Sequence, residues 1–297
     1  MSFINRAKQI FSVWLRRNLP AWFFNRVRFN RRKKRLAQIR STLSEFNRDA
    51  FVEILNSLGV NASGSLFVHS GADWLSKVDG GPFSILKDLM AYMEGGTLVM
   101  PSFPIEGMAS DYIDRNVFSV NKSPSRMGLL TELFRRSPGV QRSLHPTHSV
   151  CALGEKAGFL LSEHECCLHP FDASSPFGKL VGLKGQILLV GVGLDVLTHI
   201  HTVEDVMGEN FPYKVYEANP RRVPVINSTG DEVAVTTYVH NPAVSVRKNI
   251  PRFEADMIAD RVMHVADIGG VVFRLLDAEK LENFLREKAF AGVTVYD

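Results

Sequence analysis

The sequence predicts an α/β domain, with a mainly parallel central sheet flanked by helices, behind a basic helical N-terminal arm. Three observations predict it. From about residue 45 helical and extended apolar patterns alternate with short connections. The strand candidates include continuous apolar runs, as in strands buried on both faces. Glycine or proline punctuates the junctions. The expected division is an arm over 1–44 and one globular domain over 45–297.

The arm spaces Ile4, Ala7, Phe11, Trp14 and Leu15 helically, with Arg6, Lys8, Arg16 and Arg17 between them. Trp22, Phe23 and Phe24 follow Pro20, then Arg31-Arg32-Lys33-Lys34-Arg35. In the domain, Phe51, Ile54, Leu55 and Leu58 share a helical face that Gly59 ends. Ser65-Leu66-Phe67-Val68 reads as a strand, with a polar loop from His69. Gly80-Gly81-Pro82 opens a helix carrying Leu86, Leu89 and Met93, the proline standing where its missing N–H costs nothing. Thr97 to Met100 is a second strand, stopped by Pro101, and Met127 to Arg136 an amphipathic helix. Ile187 to Val190 reads as a buried parallel strand, turned by Gly191-Val192-Gly193 into a helix. Val271 to Leu276 is the last strand, and Asp277 caps a final helix facing inward through Leu281, Phe284 and Leu285.

Charge separates the two parts. Of 35 Lys and Arg, 12 fall in residues 1–40, which hold no acid, leaving 23 to face all 31 Asp and Glu. The body is therefore acidic, which argues against nucleic acid and favours a cationic substrate. The arm suits an anionic membrane surface, or packing on the body or a second subunit; the oligomeric state stays open, a homo-oligomer included. No apolar run approaches the ~20 residues that cross a bilayer, so an integral membrane protein is not expected. Cys151, Cys166 and Cys167 form no disulfide framework, which points to a reducing, cytoplasmic home, peripheral at the membrane if the arm binds there.

His201 and Glu204 are the leading catalytic candidates. Positions i and i+3 share a helical face, so the carboxylate can orient the ring as a general base at the end of a parallel strand. Other readings are weaker. His164-Glu165-Cys166-Cys167-Leu168-His169 lacks the spacer between cysteines that wraps a tetrahedral metal. His199 and His201 would share a face on a strand but not on a helix. Gly191-Val192-Gly193 lacks the third glycine of a dinucleotide fingerprint, since Val196 stands there. No metal is expected.

Several motifs occur in a telling order: Val68-His69-Ser70-Gly71, Gly80-Gly81, Gly96 to Pro101, Arg126-Met127-Gly128 and Arg142 to Ser149. Ser175-Pro176-Phe177-Gly178, Leu188 to Gly193 and Thr198 to Glu204 follow. The set resembles the aminoglycoside 3-N-acetyltransferases, also called antibiotic N-acetyltransferases, over about residues 45–290 and not over the arm. The resemblance implies direct acetyl transfer from acetyl-CoA to an amine of a sugar-like acceptor, without a metal or acyl-enzyme. It makes His201 the base and Glu204 its partner. It places His69, Ser70, Gly71, Gly80, Gly81, Ser102, Phe103, Met127 and Gly128 along the coenzyme A groove. Exposed amides at such loop and helix ends suit phosphate. The Thr147 hydroxyl could donate to the thioester oxygen or departing sulfur, or merely bond locally around Pro146.

Two departures bear on the acceptor: the long arm, and His169 to Ser175 in place of a glycine-rich stretch. A nucleotide- or lipid-linked amino sugar for surface polysaccharide is the expected acceptor, because membrane affinity has no evident use in modifying an antibiotic. Aminoglycoside modification is the alternative. A silent coenzyme A- or sugar-binding protein, or a carrier of another acyl group such as formyl, stays open.

Overall fold

A computed structural model describes residues 48–297; the arm expected over 1–44 lies outside them. Among the described residues ten strands form two sheets: β1 (Ser65–Ser70), β2 (Thr97–Pro101), β3 (Phe118–Ser119), β4 (Gln141–Arg142), β5 (Val150–Gly154), β6 (Gln186–Val190), β7 (Arg221–Ile226), β8 (Glu232–Thr237), β9 (Met263–Ile268) and β10 (Val271–Asp277). The central sheet runs β4-β5-β2-β1-β6-β10-β9, and a small second sheet runs β3-β7-β8. The α/β class stands, with one correction: the sheet is mixed rather than mainly parallel. Only β2-β1 and β1-β6 pair in parallel, while β5, β4, β10 and β9 join antiparallel. For one of these pairs the reason is local: Gly269 and Gly270 adopt positive φ between β9 and β10 and turn the chain straight back, and a hairpin can only pair antiparallel.

The helices that matter for the site are α1 (Arg48–Leu58), α2 (Gly81–Tyr92), α3 (Leu129–Arg135), α4 (Pro176–Gly182), α5 (His201–Met207) and α6 (Ala278–Phe290). All six β1 residues are buried, as a strand covered on both faces must be. Phe67, Val99, Ile187 and Leu189 belong to one core with Phe177, Val203, Leu281 and Leu285. Alternate residues such as Leu66, Val68 and Leu188 point to the other face, where Phe51 of α1 meets Phe273 of β10 at 6.1 Å.

Two boundaries differ from expectation. β1 continues through His69 and Ser70, and β2 includes Pro101. His69 and Ser70 are thus sheet residues paired with Leu189 and Val190, not the start of a loop. Beyond them β1 and β6 nearly touch: the Gly71 amide donates to the Val190 carbonyl at 2.9 Å. A Cβ on Gly71 would lie 2.6 Å from the Gly191 oxygen, so close backbone approach requires glycine there. The β7-β8 hairpin, turned through Asn227 to Gly230, was not read from the sequence.

Asp277 caps α6 as expected, accepting from the Lys280 amide at 3.0 Å. Asp277→Ala should lower unfolding free energy by about 1 kcal/mol in urea titration, the ordinary worth of such a cap. No change would mean that α6 is held by its packing alone.

Candidate active site

β6 ends at Val190, and two 3-10 turns (Leu194–Val196 and Thr198–Ile200) lead into α5. Buried Leu194, Leu197 and Ile200 pin this connection to the core. Within α5, Val203 and Met207 repeat at four residues and enter the same core, while His201 and Glu204 repeat at three. This places a polar pair at the carboxyl end of the parallel strands, where open α/β sheets form their sites.

Glu204 is 3% exposed and accepts three hydrogen bonds. Oε2 receives His201 Nδ1 at 2.8 Å and His240 Nε2 at 3.4 Å, and Oε1 receives the Tyr296 hydroxyl at 2.6 Å. Burial alone would raise the Glu204 pKa, but His201 and His240 hold it well below the carboxylate range. A buried carboxylate is tolerated because its lone pairs are filled. An ionised carboxylate only accepts, so His201 must donate from Nδ1 and carry its lone pair on Nε2. Burial, opposed by the Glu204 charge, lowers the His201 pKa to about 4. The ring is thus neutral at pH 7, with Nε2 free of hydrogen bonds among the described residues.

His201 does not stand alone. Its ring lies 4.5 Å from His240 and 4.9 Å from Phe171. Phe171 also meets His148 at 4.8 Å, so two imidazoles rest on one phenyl ring. Asp205 positions that ring, accepting from the Phe171 amide at 3.0 Å and the Tyr216 hydroxyl at 2.7 Å.

The expected catalytic pair is therefore together, and Thr147 is near but differently used. Thr147 is 1% exposed and its hydroxyl lies 2.9 Å from His148 Nδ1. Of the two roles open to that hydroxyl, this contact fits the local bond better than donation to substrate. The coenzyme set divides. His69, Ser102 and Phe103 are buried, His69 against Phe67 at 5.1 Å and Phe103 against His148 at 4.9 Å, so their side chains support the site from within and do not line a groove. Ser70, also buried, donates to the Gly71 carbonyl. Gly80 and Gly81 make the left-handed turn (φ 72° each) that starts α2, and Gly128 precedes α3 with φ 123°. A Cβ on Gly128 would meet the Ser70 carbonyl at 3.4 Å, so the start of α3 abuts the end of β1. Met127 packs half-buried on the core. Beside this segment a cleft of about 230 Å³ is lined by Pro104, Tyr112, Arg115 and Arg126 among others.

Residues missed in the sequence are His148, His240, Tyr296, Asp205 and Tyr216. His240 and Tyr296 reach Glu204 from 36 and 92 residues away, so no local spacing could show them. His201 Nδ1, Glu204 and His240 Nε2 lie within 4.8 Å of one another, a set able to hold a metal ion. Here both ring nitrogens are instead spent on one carboxylate oxygen.

The family model described as aminoglycoside 3-N-acetyltransferase matches residues 67–289. The chain is 34% identical over 161 residues to aminoglycoside N(3)-acetyltransferase IV of Salmonella, covering 54% of this chain and 59% of that protein. It is 27% identical to aminoglycoside N(3)-acetyltransferase IX of Micromonospora chalcea, covering 77% and 88%. The match thus spans about three fifths of the Salmonella relative's length. Among solved structures, the apoenzyme of aminoglycoside acetyltransferase AAC(3)-IVa superposes with TM-score 0.69 at 25% identity, covering 86% of this chain and 92% of that one. AAC-IIIb, solved as a binary complex with CoASH, has the same fold at TM-score 0.70 and 23% identity, covering 85% and 99%.

Two results should follow from the buried network. Tyr296→Phe leaves one Glu204 oxygen unsatisfied and should cost about 1–3 kcal/mol in denaturant titration; an unchanged midpoint would show the bond to be idle. The second concerns pH. Burial lowers the pKa of His69 and His164 to about 3, of His201 to about 4, and of His145, His148 and His199 well below 6.5. The unfolded chain binds these protons near pH 6.5, so between 6.5 and about 4 it holds more protons than the folded one. Stability should fall as pH drops from 7 to 5, by at most about 1.4 kcal/mol per pH unit for each such histidine. A flat urea midpoint over that range would contradict neutral buried rings.

Proposed function

The chain belongs to the aminoglycoside 3-N-acetyltransferase family, and on that premise we propose that it transfers an acetyl group from acetyl-CoA to an amine of an aminoglycoside-type acceptor. The observation that carries the reading is the His201–Glu204 pair, in which the ring nitrogen without a proton is the one left unbonded. An ammonium cannot attack a thioester. The free amine attacks as its N–H proton passes to His201 Nε2, and Glu204 stabilises the resulting imidazolium without taking the proton. Glu204 and Tyr296 act on the ring's orientation, and His201 on the substrate.

The acceptor follows from two supports. The relatives are named for aminoglycosides, and a 26% identical neighbour, a histidine-to-alanine mutant of AAC(3)-IVa, is a complex with apramycin. The excess of acid outside residues 1–40 favours a polycation. A surface-polysaccharide amino sugar, the acceptor first expected, draws no support from the comparisons, and the arm that motivated it lies outside the described residues. For the coenzyme, the turns at Gly80, Gly81 and Gly128, with Met127, offer close approach for phosphate and pantetheine, while the Gly71 backbone is taken up by β6. In this reading acetyl-CoA is a co-substrate, and no metal enters the chemistry.

Thiol release from acetyl-CoA should require an added amine, with apramycin and gentamicin as first acceptors. His201→Ala should lower it about 10²–10⁴-fold while coenzyme A binding, followed by calorimetry, stays largely intact. Turnover near the wild-type rate in that variant would remove His201 as the base.

A further inference from the structure

Thr147, His145 and His148 form a hydrogen-bond network in which the His145 tautomer is fixed and bears on that of His148. His145 Nδ1 accepts the backbone amides of Thr147 at 3.3 Å and His148 at 3.0 Å, and its Nε2 donates to the Thr237 hydroxyl at 3.2 Å. A neutral ring nitrogen has one in-plane lone pair, so the Thr147 hydroxyl, 3.4 Å away, finds no free acceptor there. Its shortest contact is with His148 Nδ1 at 2.9 Å. A hydroxyl donating there puts the His148 proton on Nε2, an atom that makes no hydrogen bond among the described residues. This is the opposite tautomer to His201, whose proton sits on Nδ1 against Glu204. Both rings lean on Phe171, and both approach His240, His148 at 6.0 Å and His201 at 4.5 Å. One bare nitrogen and one N–H thus belong to the same small polar cluster.

We propose that His148 is the electrophilic partner of His201, its Nε2–H donating to the thioester oxygen as negative charge develops there. The proposal rests on the acetyl-transfer reading above. The free amine attacks the carbonyl carbon, the C–N bond forms, and the carbonyl π pair moves onto the oxygen held by His148. The nitrogen's proton goes to His201 Nε2. The carbonyl then reforms, the C–S bond breaks, and His201 returns that proton to the sulfur, giving amide and coenzyme A thiol. His148 keeps its proton throughout. A neutral imidazole suits this task better than a charged one, because it donates without being able to lose its proton to the thiolate. Burial, with His240 and His201 adding to it, keeps the His148 ring neutral. Thr147 is then a positioning residue that fixes the tautomer.

The test has a spectroscopic arm and a kinetic arm, both on the full chain. In nitrogen-15 spectra of histidine-labelled protein at pH 7, His148 should show a protonated Nε2 and a bare Nδ1, and Thr147→Val should mix the two tautomers. A protonated Nδ1 in the wild-type chain overturns the proposal. His148→Ala should lower kcat about 10²–10³-fold with little change in KM for acetyl-CoA, as expected on removing one oxyanion donor. His148→Gln, which keeps a neutral N–H near the same place, should recover most of that loss. Equal loss in both variants, or a His148→Ala kcat near wild type, overturns it. Wild-type protein that releases no thiol with any of a panel of aminoglycosides overturns the transferase reading and this one together, a result no variant comparison imitates.

Discussion

A carboxylate with almost no contact with water, satisfied by three donors, is the constraint around which the described structure is organised. Glu204 gathers one residue from its own helix, one from the segment after β8 and one from the chain's last turn. Removing such a charge from water costs several kcal/mol unless it is paired, so these three segments must close together or the carboxylate stays uncompensated. Tyr296 is itself held in place. Its amide donates to the Thr294 hydroxyl at 3.1 Å, Asp297 accepts from the Thr294 amide at 2.6 Å, and Arg252 donates to the Thr294 carbonyl at 3.0 Å. A ring oriented this firmly loses little entropy when it meets a substrate, which is the physical content of preorganisation.

The sheet determines where this cluster sits. Three parallel strands end together, the β1 and β6 backbones draw close at Gly71 and Gly191, and the chain leaves β6 into the turns that carry His201. Antiparallel strands on both sides extend the platform without adding residues to the cluster. The small second sheet serves the site differently: Thr237 at the end of β8 anchors His145, and His240 follows three residues later. Two sheets thus supply the two histidines, His201 and His240, that share Glu204.

Much of this was legible in the sequence, and the reason is range. Local patterns gave β1, β2, β6, α1, α2 and α6, because burial at period 2 or 3.6 and a capping Asp277 are written within a few residues of each element. The His201–Glu204 pair was legible for the same reason, three residues on a helix. Strand direction was not, since nothing in an apolar run states which neighbour it joins, and β10 looked like any buried strand. His240 and Tyr296 were invisible because their partner is dozens of residues away. Thr147 and His69 mark a different limit. A hydroxyl or imidazole in a motif looks available, but the fold spends the first on His148 and packs the second against Phe67.

His201 can serve as a base with only one protonation pattern of the pair, and a neutron crystal structure of the deuterated protein near pH 7 would observe it directly. It should show Glu204 without a deuteron on either oxygen, His201 deuterated on Nδ1 alone, and Tyr296 pointing its deuteron at Glu204. A deuteron on the Glu204 carboxyl, or on His201 Nε2 with Nδ1 bare, would contradict the assignment of His201 as a base.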